Sequence, residues 1–184
     1  MDIKREEGKK LILEIGPNIR PQAQVVEGWQ DAKILTMDID KRTKPDIVMD
    51  AGKMNFKEKF DGILASHVLE HFPYFEVITV LERWVDALVP GGELHILVPS
   101  WEWTARQVLS EDPSPALFGH TFAGQITEWD LHRCMFTMRR LRGLFEKVGL
   151  NVIHAKTGVY YLLINQTKQE AEQHYVVGCK KDKQ

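Results

Sequence analysis

The sequence predicts an α/β fold, a mostly parallel sheet with helices packed on it. Three observations carry that expectation. Short apolar runs alternate with helical or irregular segments along most of the chain, as they do where a sheet is built through crossover connections. One of those runs, Phe60 to Ser66 (FDGILAS), is nearly continuous in apolar residues, which suits a strand buried on both faces. Three successive runs end near an acid, at Glu14, Asp38 and Asp50, and a parallel sheet would gather those groups along one edge.

Lys9 to Gly16 (KKLILEIG) is the first strand, broken at once by Gly16-Pro17-Asn18. Pro21 limits any early helix, so the first connection is expected to be irregular, with a short helical piece near Ala23 to Trp29. Ile34 to Asp40 is the second strand. The stretch from Asp40 to Pro45 is too short for a crossover helix, which makes the joint into a third strand, Asp46 to Asp50, a reduced one. Phe60 to Ser66 is the fourth. Val77, Val80, Leu81, Trp84, Val85 and Leu88 then recur at helical spacing and make one apolar face. Pro90-Gly91-Gly92 is expected to stop that helix. Glu93 to Ser100 reads as the fifth strand, and WEWTARQVLSE, from Trp101, as a short helix. Residues 112–136 are rich in Pro, Gly, His and aromatics, the composition of a substrate-side loop or lid. Thr137 caps a helix from Met138 to Val148, with Gly149 ending it. Asn151 to Thr157 and His174 to Lys181 read as two late strands, while residues 158–172 between them are open to strand, helix or both. Lys180 to Gln184 is a polar tail.

At 184 residues, with 43% apolar and 27% charged content, one soluble domain with a sizeable core is expected. The net charge is -2, from 24 basic against 26 acidic residues, so no sequence-independent grip on nucleic acid phosphates is advertised. Cys134 and Cys179 stand far apart in no paired motif, which excludes a disulfide framework or a zinc ribbon. The charged opening MDIKREEGKK is no signal peptide, and no apolar run is long enough to cross a bilayer. A cytoplasmic protein with no membrane partner is expected.

Chemistry gathers at the ends of the runs. Gly16 lets backbone approach a ligand closely, and Asn18 tolerates left-handed backbone where a further glycine would otherwise stand. Asp38 follows the glycine turn by about 20 residues, the distance at which a strand-end acid accepts from ribose hydroxyls, with Asp40 its near rival. Asp50 can accept from an adenine amino group while backbone at Ala51 reads the ring. A ligand bearing ribose and adenine explains acids placed in this way; solvated carboxylates do not.

His67-Val68-Leu69-Glu70-His71 fits the H-x-x-E-H spacing of a zinc hydrolase. That reading needs His67, Glu70 and His71 on one helix, and Pro73 disfavours helical backbone at Phe72. It also needs a further ligand that nothing marks, so no metal is expected. His95 and His154 fall inside strands and read as structural. His120 and His132 flank the long segment and are candidates to face substrate. Trp101 and Trp103 are either an aromatic wall or core.

Taken in order, LEIGP, ILTMDID, PDIVMDA, FDGILASHVLEHF and LVPGGELHILVPS resemble the motif series of class I S-adenosylmethionine-dependent methyltransferases. GHTFAGQITEWDLHRCMFTMRRLRGLFEKVGL is similar to a stretch of small bacterial members of unassigned or diverse substrate. The likeness runs from about Leu11 to Lys180, and EIGPN departs from the common multi-glycine pattern. It implies a Rossmann-like, mostly parallel seven-stranded sheet with helices on both faces and an antiparallel last strand. It implies S-adenosylmethionine as cofactor, with Glu14 and Gly16, and Pro17 beside them, against its methionine part. Asp38 would hold the ribose, Asp50 and Ala51 the adenine, and Ser66 and His67 would line the pocket near the sulfonium.

The expected reaction is methyl transfer to an O or N atom of a small-molecule or sugar-containing acceptor, driven mainly by alignment. His67 is the leading base, followed by His120 and His132. Ser66-His67-Val68-Leu69 stands where amino methyltransferases of nucleic acid bases carry Asn/Asp-Pro-Pro-aromatic, and no Pro-Cys pair is present. Two other classes share these features: a Rossmann-type NAD-dependent oxidoreductase, and a module that binds the nucleotide without catalysis.

Overall fold

The computed structural model describes residues 3–17 and 22–181. Asn18, Pro21 and the end of the polar tail, 182–184, lie outside the described residues. Seven strands form one sheet: β1 Leu11–Ile15, β2 Lys33–Asp38, β3 Ile47–Val48, β4 Phe60–Ser66, β5 Leu88–Pro99, β6 Leu150–Ile164 and β7 Thr167–Lys180. Their order is β3-β2-β1-β4-β5-β7-β6. Strands β1 to β5 pair in parallel. The last strand, β7, runs antiparallel between β5 and β6. This is the Rossmann-like arrangement that the motif series implies.

Side chains alternate across the strands, so β1 turns Leu11, Leu13 and Ile15 to one face and Ile12 and Glu14 to the other. The first face holds the main core. Helix α1 (Val77–Ala87) buries Val77, Val80, Leu81, Trp84 and Ala87 there, and α4 (Met138–Lys147) adds Leu141 and Phe145. On the second face, beneath β1 and β4, Ile12 and Leu64 pack against Ala23 and Trp29. The cover here is a 3-10 turn, Ala23–Val25, rather than a full helix. Gly62 makes it possible, because a Cβ there would run into the Trp29 ring. Further along this chain, α2 (Trp101–Val108) and α3 (Leu117–Phe122) bring Trp103, Ala116 and Leu117 against Ala171 and Tyr160.

Helix α1 with the Pro90-Gly91-Gly92 segment and the third strand differ from the sequence expectation, and residues 158–172, which it left open, take one of the forms it allowed. Helix α1 stops at Ala87, and Leu88 already pairs with Phe60. Pro90-Gly91-Gly92 is a bulge inside β5, where Gly92 fits between the carbonyls of Val89, Asp61 and Phe60. The third strand is two residues long, since the 3-10 turn Lys41–Thr43 is all the connection that precedes it. Residues 158–172 are neither helix nor mixed. They are the outer half of a long β6–β7 hairpin, closed by Asn165 and Gln166 with φ of 48° and 64°. Two successive left-handed residues suit the right-handed twist of the strands they join.

Candidate functional site

Parallel pairing places the carboxyl ends of β1, β2, β3, β4 and β5 along one edge, the position at which open α/β sheets bind ligands. Gly16 leaves β1 with φ of 63°, and its N–H donates to the Met37 carbonyl at 2.8 Å. A Cβ at Gly16 would lie 2.6 Å from Val68 Cγ2. The glycine turn therefore sits directly under the loop that follows β4. Pro17 is buried beside it. Glu14 is 2% exposed, and its two carboxylate oxygens accept the N–H groups of Gln22 and Ala23 at 2.6 and 2.9 Å. It clamps the far end of the first loop, a role that the strand pattern did not reveal.

Asp38 and Asp40 differ in the partners they hold within the chain. Asp40 caps the Lys41–Thr43 turn by accepting from Arg42 N–H, and its carboxylate is also paired with the Arg42 guanidinium at 2.6 Å. That pairing holds the Asp40 carboxyl below its ordinary value. Asp38, half-buried at the end of β2, spends one oxygen on the Asp40 N–H at 2.8 Å. Asp50 caps the next 3-10 turn, Ala51–Lys53, through Gly52 N–H, with Lys53 at 3.3 Å. The Ala51 carbonyl accepts from Trp84 Nε1 at 3.0 Å, which fixes this turn to α1.

Ser66 ends β4, and His67 follows in the left-handed region with φ of 55°. Only Leu69–His71 then forms a 3-10 turn. His67 and His71 thus do not share a helix face, and the zinc-hydrolase arrangement of H-x-x-E-H is absent. His67, with a side chain 28% exposed, donates from Nε2 to Gln173 Oε1 of β7 at 2.8 Å. Its ring lies 4.8 Å from that of Tyr160, and its Nδ1 stands 3.3 Å from Glu70 Oε1. Burial alone would lower the His67 pKa; the Glu70 carboxylate outweighs it and leaves the pKa raised.

Glu70 is fully buried. Burial alone would raise its pKa, but His67 first, then His132 and His71, hold it below the usual carboxylate range. Its main-chain carbonyl accepts from Arg133 and Cys134 N–H at 2.8 and 3.1 Å, tying the β4 loop to the long segment. Cys134 is buried against the same turn, its Sγ 3.8 Å from the Leu69 and Glu70 carbonyls, and burial pushes its thiol up to about 12, so it stays protonated.

The two histidines of the long segment fare differently from His67. His120 is fully buried: Nε2 donates to the Ser100 carbonyl at 3.0 Å, so Nδ1 accepts from Tyr160 hydroxyl at 2.9 Å. Burial pushes its pKa down to about 4. Both nitrogens are spent inside the fold. His132 donates from Nδ1 to the His120 carbonyl at 3.1 Å and turns Nε2 towards Glu70. Burial lowers its pKa too. Trp103 is core, its ring tilted at 52° against that of His120 with centroids 4.4 Å apart, whereas Trp101 is 41% exposed. Trp101 and Tyr74 border a cleft of about 350 Å³ with Cys134, Met135, Thr137 and Arg140. His95 and His154 lie in β5 and β6, as the strand pattern predicts.

Gln173, Tyr160 and the meeting of Glu70 with His132 were not foreseen. All three come from segments distant in sequence; Tyr160 sits in the stretch that the sequence left open, and Gln173 directly follows it in β7.

No curated protein matches the chain by sequence. Among solved structures, an S-adenosylmethionine-dependent methyltransferase from Methanosarcina mazei superposes with a TM-score of 0.68 at 16% identity, covering 97% of this chain and 95% of that one. The 1,6-didemethyltoxoflavin-N1-methyltransferase of Burkholderia thailandensis, with bound 1,6-didemethyltoxoflavin and S-adenosylhomocysteine, gives 0.63 at 16% identity over 95% and 72%. A methyltransferase from Archaeoglobus fulgidus gives 0.61 at 13% identity over 95% and 87%. At such identities these likenesses speak for the fold. The family described as a methyltransferase domain matches residues 3–155 directly. With most of its length inside that match, the chain belongs to the methyltransferase-domain family, enzymes that take their methyl group from S-adenosylmethionine.

Proposed function

We propose that this enzyme methylates an oxygen or nitrogen atom of a small-molecule or sugar-containing acceptor met in the cytoplasm, with His67 as the residue that meets the acceptor. The observation carrying this reading is the position of His67. It is partly exposed at the carboxyl end of β4, one residue from Val68, whose side chain rests on the glycine turn.

The cofactor supplies a methyl group already activated by a positively charged sulfur. The residues present suit it. Gly16 keeps a close-approach surface that a Cβ would fill. Asp38 keeps one carboxylate oxygen for ribose hydroxyls, and Asp50 with Ala51 offers an acceptor and a buried backbone turn to adenine. Glu14 serves the same site at one remove, by holding Gln22 and Ala23 in place. Ser66 and His67 then border the methyl-bearing end, with Pro17 shaping the turn.

The chain's own work is to hold the acceptor in line and exclude water, since proximity and alignment supply most of the rate. His67 is fixed from two sides by Gln173 and Glu70; it acts as a base in the tautomer that carries the ring proton on Nδ1, facing Glu70, once the acceptor has displaced Gln173 from Nε2. His120, buried and doubly bonded, supports Tyr160 instead, and His132 supports the turn beneath. We assign residues 112–136 to the acceptor side. Phe118, Phe122, Ile126, Trp129 and Leu131 of this segment are exposed apolar side chains, 38% to 85% accessible, which favours an acceptor with an apolar or aromatic face. The net charge of -2 supports a small molecule over a polyphosphate chain.

The test is S-adenosylhomocysteine release over a metabolite library, repeated on the active acceptor with His67→Ala. Loss of turnover with retained cofactor binding supports the assignment. Undiminished turnover in His67→Ala removes it.

A further inference from the structure

We propose that Glu70, His71 and His132 form a binding site for one divalent transition-metal ion, of the borderline class that Zn²⁺ represents. One ligand atom from each residue lies within 4.8 Å of the others. Three protein ligands of the His₂Glu type, with further positions left to water or substrate, are a recurrent catalytic zinc set. Ligands around such an ion sit about 2.0–2.2 Å from it, so a closing of the side chains by about 1 Å completes the shell.

Three independent features point to a ligand here rather than to a solvated group of charges. Glu70 is fully buried, and neither of its carboxylate oxygens accepts a hydrogen bond of normal geometry; its closest ion-pair partner is His67 Nδ1, 3.3 Å from Oε1. A buried carboxylate without hydrogen bonds is costly and is ordinarily resolved by a counter-charge. His71 Nδ1 is likewise buried with no hydrogen-bond partner. Most telling is His132. A carbonyl can only accept, so the 3.1 Å contact with the His120 carbonyl puts the ring proton on Nδ1. This leaves the lone pair of Nε2 directed at Glu70 Oε1, 3.8 Å away. Metal-binding histidines are commonly oriented by such a backbone bond on the other nitrogen. The His71 and His132 rings meet edge to face at 4.9 Å.

The site has structural support from behind. Cys134 and Arg133 N–H groups bond the Glu70 carbonyl, which fixes the 3-10 turn to the segment that carries His132. An ion held there would lock residues 112–136 onto the end of β4. It would also stand beside His67, the residue proposed above to meet the acceptor. Binding of the ion does not depend on that reading and can be measured without turnover.

The experiment uses the untagged chain, freed of metal by chelation and dialysis. Calorimetry with Zn²⁺, Mn²⁺ and Mg²⁺ is followed by elemental analysis of the gel-filtered complex and by the visible spectrum of the Co²⁺ form. The expected result is one equivalent of Zn²⁺, with Mg²⁺ much weaker and a Co²⁺ spectrum showing nitrogen–oxygen coordination. His71→Ala and His132→Ala are each expected to weaken binding by at least about tenfold. Glu70→Gln should also weaken it, and Glu70→Asp and His132→Gln serve where a variant fails to fold. Absence of stoichiometric binding by the folded wild type overturns the proposal. So does binding that the folded His71 and His132 variants retain undiminished. Full turnover in His67→Ala with metal binding intact would be the failure of the functional assignment alone, and turnover without stoichiometric metal binding by the wild type the failure of the metal site alone.

Discussion

Replacing Gly16 by alanine tests how the first turn and the loop after β4 depend on each other. Two costs are legible in the structure. A residue with φ of 63° is left-handed, and a side chain there costs about 1–2 kcal/mol. The new methyl would also lie 2.6 Å from Val68 Cγ2, and overpacking of a filled site costs about 1–3 kcal/mol. Together, Gly16→Ala should destabilise the chain by about 2–5 kcal/mol. The second term has a specific remedy, because Val68→Ala removes the methyl that is struck. In a double-mutant cycle followed by urea unfolding, the two substitutions should couple favourably by about 1–3 kcal/mol. The left-handed cost should remain. A neutral Gly16→Ala, or two strictly additive effects, would refute the reasoning that the two loops are packed against each other here.

Two further outcomes rest on single contacts. Glu14→Gln keeps the shape of the side chain but turns one acceptor into a donor facing a backbone N–H, so it should cost about 1–3 kcal/mol in urea unfolding and weaken cofactor binding; unchanged stability would show that the carboxylate does not clamp Gln22 and Ala23. His95 is held below its ordinary pKa, chiefly by burial, against the pull of Glu93, with Tyr175 bonded to its other nitrogen and Lys10 and His154 nearby. The folded chain therefore binds fewer protons at this site than the unfolded chain, and the stability it confers is complete above about pH 6.5 and is lost as pH falls from there. His95→Gln should flatten the decline in stability between about pH 7 and 5, and an identical slope would contradict the assignment.

The sequence was most informative where one local rule decided the outcome. Strand β4 reads from its apolar run, α1 from its spacing, and the turn at Gly16 from the glycine that ends β1. The same locality explains the failures. Pro90-Gly91-Gly92 is a strong stop for a helix, yet here the helix had already ended and the glycines bend a strand around its neighbour. Asn165-Gln166 lacks the glycine that marks a tight hairpin, and the outer strand exposes Val159, Tyr161 and Leu163, so neither turn chemistry nor an inward apolar pattern identified it. H-x-x-E-H is the opposite case: Pro73 already tells against its helical reading, and the left-handed His67 is a second break. Glu70 acquires its meaning only when His132 folds over it from the far segment. Such pairings are products of tertiary packing, and no window of sequence contains them.

The central claim is that the carboxyl edge of the sheet binds S-adenosylmethionine, with Asp38 holding the ribose. Calorimetry of S-adenosylhomocysteine binding to the wild type, Asp38→Ala and Asp40→Ala measures this most directly. A hydrogen bond to a charged group is worth about 1.5–3 kcal/mol. Asp38→Ala should thus weaken binding about 10- to 100-fold, and Asp40→Ala, whose carboxylate is already committed to Arg42, should leave it nearly unchanged. The reverse ranking, or no binding by the folded wild type, would contradict the account.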